Sequence, residues 1–296
     1  MTILLLGHNG QIGHELQRSL RSLGTVVPVG RERADLTRPD TLRAVVDEVA
    51  PDVIVNAAAY TNVDRAEEET ERAWQINAEA PGVLADAAAR CGAWLVHYST
   101  DYVFDGTARR PYREDDRAVP LNAYGRTKLG GERAIREAGP PHLILRASWV
   151  YSLRRSNFLR TMLRLADECR RGERERITVV DDQVGCPTSA AWVADATAEL
   201  LQTVAAQDDS AVLSGTYHVA SAGQTSWYGF ARAIFAWKEI EDVDIVPIST
   251  DEYPTPATRP AYAVLDTSRV QETFGLTVPT WTEQLAAFEQ QGTTRV

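Results

Sequence analysis

Cysteine is scarce in this chain of 296 residues. Cys91, Cys169 and Cys186 form neither the even set of a disulfide framework nor the close pairs of a zinc site, so reduced thiols are expected. Positive charge is also in deficit: 31 Lys and Arg against 41 Asp and Glu leave a formal −10. That balance argues against a nucleic-acid partner. It does not exclude a small anionic ligand, because helix N-termini and single arginines bind phosphates locally. No apolar stretch approaches the ~20 residues of a membrane helix, so no membrane partner is expected. Met1-Thr2-Ile3 enters a strand with no basic leader before it, and the expected location is the cytoplasm. His8, His14, His97, His142 and His218 are scattered without ligand spacing. Each is expected to be solvated or in a core, with His8 also placed to border a pyrophosphate. Internal repeats and low-complexity segments are absent, and Glu67-Glu68-Glu69 reads as a solvated helix face.

What remains is ordinary globular material, 44% hydrophobic and 24% charged, enough for one large core or two joined lobes. Ile3-Leu4-Leu5-Leu6 is wholly apolar, as a strand buried on both faces requires. Gly7, Gly10 and Gly13 follow, and then Glu15, Leu16 and Leu20 fall at helical spacing. Strand, glycine turn and helix form the context of a dinucleotide site, with backbone close to pyrophosphate and a helix N-terminus facing it. The spacing is G-x-x-G-x-x-G. After the second strand, Thr25 to Val29, stands Gly30-Arg31-Glu32-Arg33. An acid here would bond a ribose 2′-hydroxyl, whereas arginine suits a 2′-phosphate. Arg31 and Arg33 would equally decorate a loop. Asp35-Leu36 is placed to pass the adenine, and Asp40 through Ala50 reads as a helix.

The third strand signal, Pro51 to Ala59, ends in small residues that let backbone approach a cofactor. Ala73 through Arg90 reads as one helix, and Cys91 to Tyr98 as a strand delivering Ser99-Thr100-Asp101 at its carboxyl end. Open α/β sheets bind ligands there. Arg109 to Pro120 is a charged loop leading into a helix with Tyr124 and Lys128. Four-residue spacing stacks that pair on one face. A phenol beside an ammonium is expected below its usual pKa of ~10, suited to passing a proton to or from a substrate oxygen. A strand over His142 to Arg146 ends at Ala147-Ser148-Trp149-Val150-Tyr151. Alternating strands and helices imply α/β architecture with a doubly wound parallel sheet. Residues 1–150 form the expected dinucleotide-binding domain. Residues 151–296 form a smaller mixed α/β lobe for substrate, with some segments returning to the sheet. In that lobe, helices are expected at Asn157 to Arg171, Ala190 to Ala205 and Ser226 to Trp237, and strands at Ile177 to Val180 and Tyr217 to Ala220. Pro247 to Pro260, with its four prolines, reads as an ordered loop.

The glycine turn, Ser99-Thr100-Asp101 and Tyr124-x-x-x-Lys128, in that order, resemble the extended short-chain dehydrogenase/reductase superfamily. Longer phrases resemble the dTDP-4-dehydrorhamnose reductase family within it. They are Val55 to Asp64 (VNAAAYTNVD), His97 to Gly106 (HYSTDYVFDG), Tyr124 to Glu132 (YGRTKLGGE), Arg146 to Tyr151 (RASWVY) and Asp182 to Thr188 (DQVGCPT). The resemblance implies NAD(P)H-dependent reduction of the 4-keto group of a deoxythymidine-diphospho-sugar, the last step toward dTDP-L-rhamnose. It implies Thr100, Tyr124 and Lys128 as catalytic residues. Gly10, Gln11, Ile12, Asp35, Leu36, Ala59, Tyr60, Thr61 and Tyr98 would line the cofactor, beside the glycine turn and Arg31. Trp149 would pack on the sugar, and Asp101 and Arg259 would also meet the substrate.

Several positions depart from that pattern. The relatives' R-P-x-N-S-x-L phrase reads Arg259-Pro260-Ala261-Tyr262-Ala263-Val264-Leu265 here, which puts the substrate end of the pocket in question. Some relatives hold a divalent metal through glutamates at a dimer interface. Glu15 fits one such position but Ala191 replaces another, so no metal is expected, while a homodimer stays compatible. The absence of an acid at Gly30 favours NADPH, with NADH as the alternative. Competing readings are a reductase of another dTDP-4-keto sugar, an epimerase with tightly held NAD, and a non-catalytic regulatory subunit. A 4,6-dehydratase would need Glu where Tyr102 follows Asp101.

Overall fold

The computed structural model describes residues 1–292. Six strands build the main sheet: β1 (Thr2–Leu6), β2 (Thr25–Val29), β3 (Val53–Asn56), β4 (Trp94–Thr100), β5 (His142–Ala147) and β6 (Gly215–His218). Their spatial order is β6-β5-β4-β3-β1-β2, and every pairing is parallel. The register sets Leu4 beside both Val27 and Ile54, and Val55 beside Val96. Parallel strands need crossover helices on both faces, which is why the central strands β1 and β3 are almost wholly apolar and buried. Alternate side chains serve opposite faces. Ile3, Leu5, Val96 and Leu145 meet Leu16 and Leu20 from the first helix (Gln11–Ser19) and its 3-10 extension, with Val193 and Leu200 from helix Ala190–Ala206. Leu4, Leu6, Ile54 and Leu95 face Leu42, Leu84 and Ile135 on the other side. From β1 the chain goes to β2 on one side and then crosses to β3 on the other, so the strand order reverses at the carboxyl ends of β1 and β3, where open α/β sheets form their ligand crevice.

Later segments rejoin this layer. Strand β6 pairs with β5, and helix Ala190–Ala206 covers one sheet face. The remaining chain forms a smaller unit in which Ile177–Val180 pairs in parallel with Ile245–Ile248. Tyr151, Leu159, Phe230, Ile234 and Phe288 fill its core. Here the sequence expectation of a loop from Pro247 changes: Pro247 lies inside the strand, whose partner is its single neighbour in a two-stranded ribbon. A ribbon edge tolerates proline because no second partner needs its missing N–H.

The expected helix from Ala73 to Arg90 is broken into Thr70–Trp74, a π-helical turn over Gln75–Glu79, and Ala80–Cys91. Pro81 lacks the N–H that would bond the Asn77 carbonyl, which loosens the ladder at that point. Asn77 is put to another use: its side chain accepts from Tyr60 N–H at 2.8 Å and donates to Tyr60 O at 2.9 Å and Thr127 Oγ1 at 3.1 Å. It thereby ties the loop after β3 to the helix of Tyr124. Among the described residues, no helix is long and apolar enough to cross a membrane.

Candidate active site

Strand β4 divides its side chains between two neighbours. Val96 and Tyr98 enter the core under helix Ala190–Ala206, where the Tyr98 hydroxyl and Thr197 Oγ1 lie 2.7 Å apart. His97 and Ser99 point the other way, toward helix Ala123–Ala138. His97 Nε2 is 3.1 Å from Lys128 Nζ, and Ser99 Oγ donates to Glu132 at 2.6 Å. Thr100 ends the strand, donating to Asp101 Oδ1 at 2.9 Å and accepting from Tyr102 N–H at 3.2 Å. Ser148 Oγ donates to the other Asp101 oxygen at 3.0 Å.

Asn122 caps the helix, its Oδ1 accepting from Gly125 N–H at 2.8 Å. Tyr124, Lys128 and Glu132 then share one face at four-residue intervals. The ring of Tyr102 meets Tyr124 edge-on at 5.8 Å. Burial pushes the Tyr124 phenol up to about 12; the Thr100 hydroxyl draws it down and the Asp101 charge adds to the rise. This overturns the expected lowering. Lys128 does not face the phenol as an exposed cation: it is 2% exposed, its Nζ is directed at His97, and burial lowers it to about 8 against the pull of Glu132. Asp101 is also raised by burial, to about 7, despite its bonds from Thr100 and Ser148.

At the crevice, Gly7 adopts φ +77°, and a Cβ there would lie 2.6 Å from Ala58 N. The turn after β1 thus touches the backbone after β3, a contact that only glycine allows. Gly10 starts the first helix without a side-chain cap, and no acid occupies its first turn. Backbone N–H groups there remain for a pyrophosphate. Gln11 spends its side chain elsewhere, donating to Val150 O at 3.3 Å and accepting from Ser152 and Asn157. Ile12 packs against the core. At the β2 end, Arg31 is exposed and pairs with Asp35 at 3.1 Å. Burial raises the Asp35 carboxyl, but bonds from Thr37 and Arg31 outweigh it and leave it below its usual value. Leu36 is buried beneath. Ala59 and Thr61 are exposed beside the crevice, and Tyr60 bonds Glu69 at 3.1 Å. Tyr98 differs from its expected place, because its phenol belongs to the core and not to the crevice.

Trp149 has φ +45°, rare for a bulky residue. Its ring stacks on Trp227 with centroids 3.4 Å apart. Arg259 is committed: its fork bonds both Asp64 oxygens at 3.0 and 2.8 Å, with further bonds to Thr255 and Ala257. It joins the proline-bearing loop to the segment after β3. Two described hollows, of about 560 and 660 Å³, lie on the outer side of helix Ala123–Ala138 and include none of Thr100, Tyr124 and Lys128.

A family model described as the RmlD substrate binding domain matches residues 1–293. The dTDP-4-dehydrorhamnose reductase of Burkholderia thailandensis is 52% identical over 289 residues, with 95% of each chain covered. The chain belongs to the dTDP-4-dehydrorhamnose reductase family. The enzyme of that name from Escherichia coli K12 is 42% identical, covering 95% of this chain and 94% of its own. A crystal structure of dTDP-4-dehydrorhamnose reductase from Bacillus anthracis in complex with NADP superposes with a TM-score of 0.88 at 36% identity, covering 98% of this chain and 99% of that one.

Within this reductase family member, sequence reasoning had set His97 aside as a scattered histidine. The signal available was alternation along β4, which puts His97 on the same face as Ser99 and so toward the helix bearing Lys128. Glu132 and Ser148 were equally silent, since each acts through a neighbour distant in sequence. Glu132 binds Arg146 at 2.8 Å and Arg136 at 2.7 Å, and it is held to about 2 because those bonds and Ser99 outweigh its burial. Among the described residues, no group of three or more His, Cys, Asp or Glu could hold a metal.

Proposed function

We propose that this chain reduces the 4-keto group of dTDP-4-dehydro-L-rhamnose to give dTDP-L-rhamnose, with NADPH as reductant. The observation that carries the reading is the meeting of Thr100 and Tyr124 at the β4 end, one strand from the glycine crevice, with Lys128 one turn further along the same helix and turned to His97. The crevice fits a dinucleotide, because Gly7 presses directly on the β3 backbone and the uncapped first helix leaves N–H donors for phosphate. Gly7, Gly10, Gln11, Ile12 and Gly13 would hold the pyrophosphate through backbone. Arg31, beside Asp35 and Leu36, would meet a 2′-phosphate, and Ala59, Tyr60 and Thr61 would border the nicotinamide half.

Bound in this crevice, NADPH would be the source of the hydride that the ketone carbon gains. Tyr124 gives its phenolic proton to the carbonyl oxygen as negative charge develops there, so carbon gains hydrogen with two electrons and oxygen gains the proton. A phenol at about 12 stays protonated near neutrality, which suits a donor. An alkoxide is more basic still, so transfer runs toward the sugar. Thr100 orients the carbonyl and the phenol together, and Lys128 steadies the phenolate left behind. Trp149 offers its ring to the sugar, while Asp101 and its Ser148 bond set the polar end of the pocket. Arg259 serves this site by fixing the loop through Asp64. A homodimer is a separate proposal that light scattering would test.

The test is direct. Purified protein is offered dTDP-4-keto-6-deoxy sugars with NADPH, loss of reduced nicotinamide is followed by absorbance, and the product sugar is identified. Formation of dTDP-L-rhamnose supports the reading. Turnover that yields only another dTDP-sugar would move the assignment, and Tyr262, whose hydroxyl donates to Gln224 Oε1 at 3.1 Å, marks where the pocket departs from the family phrase.

A further inference from the structure

A row of three buried polar side chains crosses the sheet behind Tyr124. Asn56, His97 and Lys128 are 1%, 1% and 2% exposed, so their hydrogen bonds must be made with one another or with backbone. Ala58 N–H donates to Asn56 Oδ1 at 3.2 Å, which sets the amide's orientation. Asn56 Nδ2 then lies 3.2 Å from His97 Nδ1, and His97 Nε2 lies 3.1 Å from Lys128 Nζ.

Donor and acceptor capacity now fixes the chain's direction. An amide nitrogen carries hydrogens and accepts nothing, so His97 Nδ1 must be the lone-pair nitrogen. A neutral imidazole has one N–H, which must sit on Nε2 and point at Lys128. An ammonium accepts nothing, whereas an amine offers a lone pair. The opposite arrangement, a charged Lys128 donating to Nε2, needs the proton on Nδ1 and the Asn56 amide turned over. Ala58 N–H would then face an NH₂ group. A doubly protonated His97 is excluded because burial of the ring holds it well below its ordinary value.

We infer that Asn56 locks His97 as its Nε2–H tautomer, so that His97 offers a donor that only the amine form of Lys128 can accept, which favours that form in the ligand-free protein. Asn56 and His97 are positioning residues for Lys128, and neither touches the reacting atoms. The inference rests on the reductase reading only for its consequence: Lys128 becomes an ammonium when the loaded site offers it acceptors in place of the His97 N–H. Other titratable groups facing Lys128 do not reverse this. On its own helix, Tyr124 stays neutral, and Glu132 is shared among Arg146, Arg136 and Ser99. Beyond β4, Asp101 is bonded to Thr100 and Ser148. On the loop after β3, the Tyr60 hydroxyl is taken by Glu69.

The chain contains two lysines, Lys128 and Lys238, which makes the test clean. Protein labelled with ¹³C at lysine Cε is titrated without ligand and followed by NMR, the exposed Lys238 giving the reference signal. The Lys128 signal is expected to titrate near 8 or below, against ~10.4 for a free lysine. Long-range ¹⁵N–¹H correlation should show His97 protonated at Nε2. Asn56→Asp reverses the direction, since a carboxylate accepts from Nδ1–H and leaves the Nε2 lone pair for Lys128. In that variant His97 should switch to Nδ1–H, and the Lys128 midpoint should rise by at least ~1 pH unit. If Asn56→Asp fails to fold, the wild-type histidine spectrum decides alone. His97 found as Nδ1–H in the wild type, or a Lys128 midpoint unmoved by Asn56→Asp, overturns the proposal. None of these readouts needs turnover, so a failed reductase assay and a failed tautomer lock are told apart.

Discussion

Glu132→Gln is the substitution whose cost follows most directly from the structure. Glu132 is fully buried and accepts from Arg146 Nη2 and Nε at 2.8 Å each, from Arg136 at 2.7 Å and from Ser99 at 2.6 Å. Glutamine keeps the shape and one acceptor but removes the anion opposite Arg146, which is 3% exposed. Removing one partner of a buried pair costs about 3–5 kcal/mol, because the other charge is left uncompensated. Linkage gives a second figure. The carboxyl falls from 4.5 to about 2 on folding, which corresponds to about 3 kcal/mol. The two agree. At the low end of the ~2–4 °C per kcal/mol typical of domains this large, the melting temperature should drop by roughly 6 °C at pH 7.

The pH dependence carries the sign. A carboxyl held low in the folded state stabilises fully above its unfolded value, and that stabilisation is lost as pH falls from about 4.5 toward 2. At about pH 3.5 the loss reaches on the order of 1 kcal/mol for the wild type and is absent in the variant. Scanning calorimetry of both proteins at the two pH values tests this. A drop at pH 7 smaller than about 2 °C, or a gap between the proteins that does not narrow at the lower pH, refutes the account.

Tyr124→Phe should lower kcat by roughly 10²–10⁴ while NADPH affinity, read by fluorescence titration, stays within about twofold; wild-type turnover would sink the proton-donor role. Arg31→Ala should weaken NADPH about tenfold or more, as for a charged hydrogen bond worth about 1.5–3 kcal/mol, and NADH much less; equal losses for the two cofactors would show that Arg31 reads no 2′-phosphate. Gly185→Ala places a methyl where Trp149 Cε2 is 2.4 Å away, which should cost about 1–3 kcal/mol in stability. It should also raise KM for the sugar more than it lowers kcat, and an unchanged KM with a displaced indole in near-UV circular dichroism would remove Trp149 from the sugar site.

The parallel sheet was legible because Ile3 to Leu6 is apolar on both faces and runs into glycine, and because Trp94 to Thr100 starts apolar and ends in hydroxyl residues. Family and activity were legible because the long phrases around Thr100, Tyr124 and Lys128 are specific, and the relatives bear them out. Charge states were not. The proton affinity of Tyr124 follows from burial, and burial depends on Tyr102 and on the helix seat, which no local spacing encodes. Arg259 is expected at the substrate from the family phrase, and its tie to Asp64 is not legible because that partner lies 195 positions away. The helix break at Gln75–Glu79 needed both Pro81 and the three bonds of Asn77 to be seen together.

These corrections alter what the catalytic pair does. A phenol lowered by a permanent neighbouring cation would be ready to take a proton as easily as to give one. Here the phenol is raised to about 12 by burial, and the nearby amine is directed at His97 with its own affinity lowered to about 8. The ligand-free site therefore carries its proton on Tyr124, the group that must donate in a reduction. Positive charge beside it is needed only after the phenol has given its proton, when a phenolate would otherwise be stranded at low polarity. Placing Lys128 under the control of His97 and Asn56 lets that charge respond to what fills the crevice.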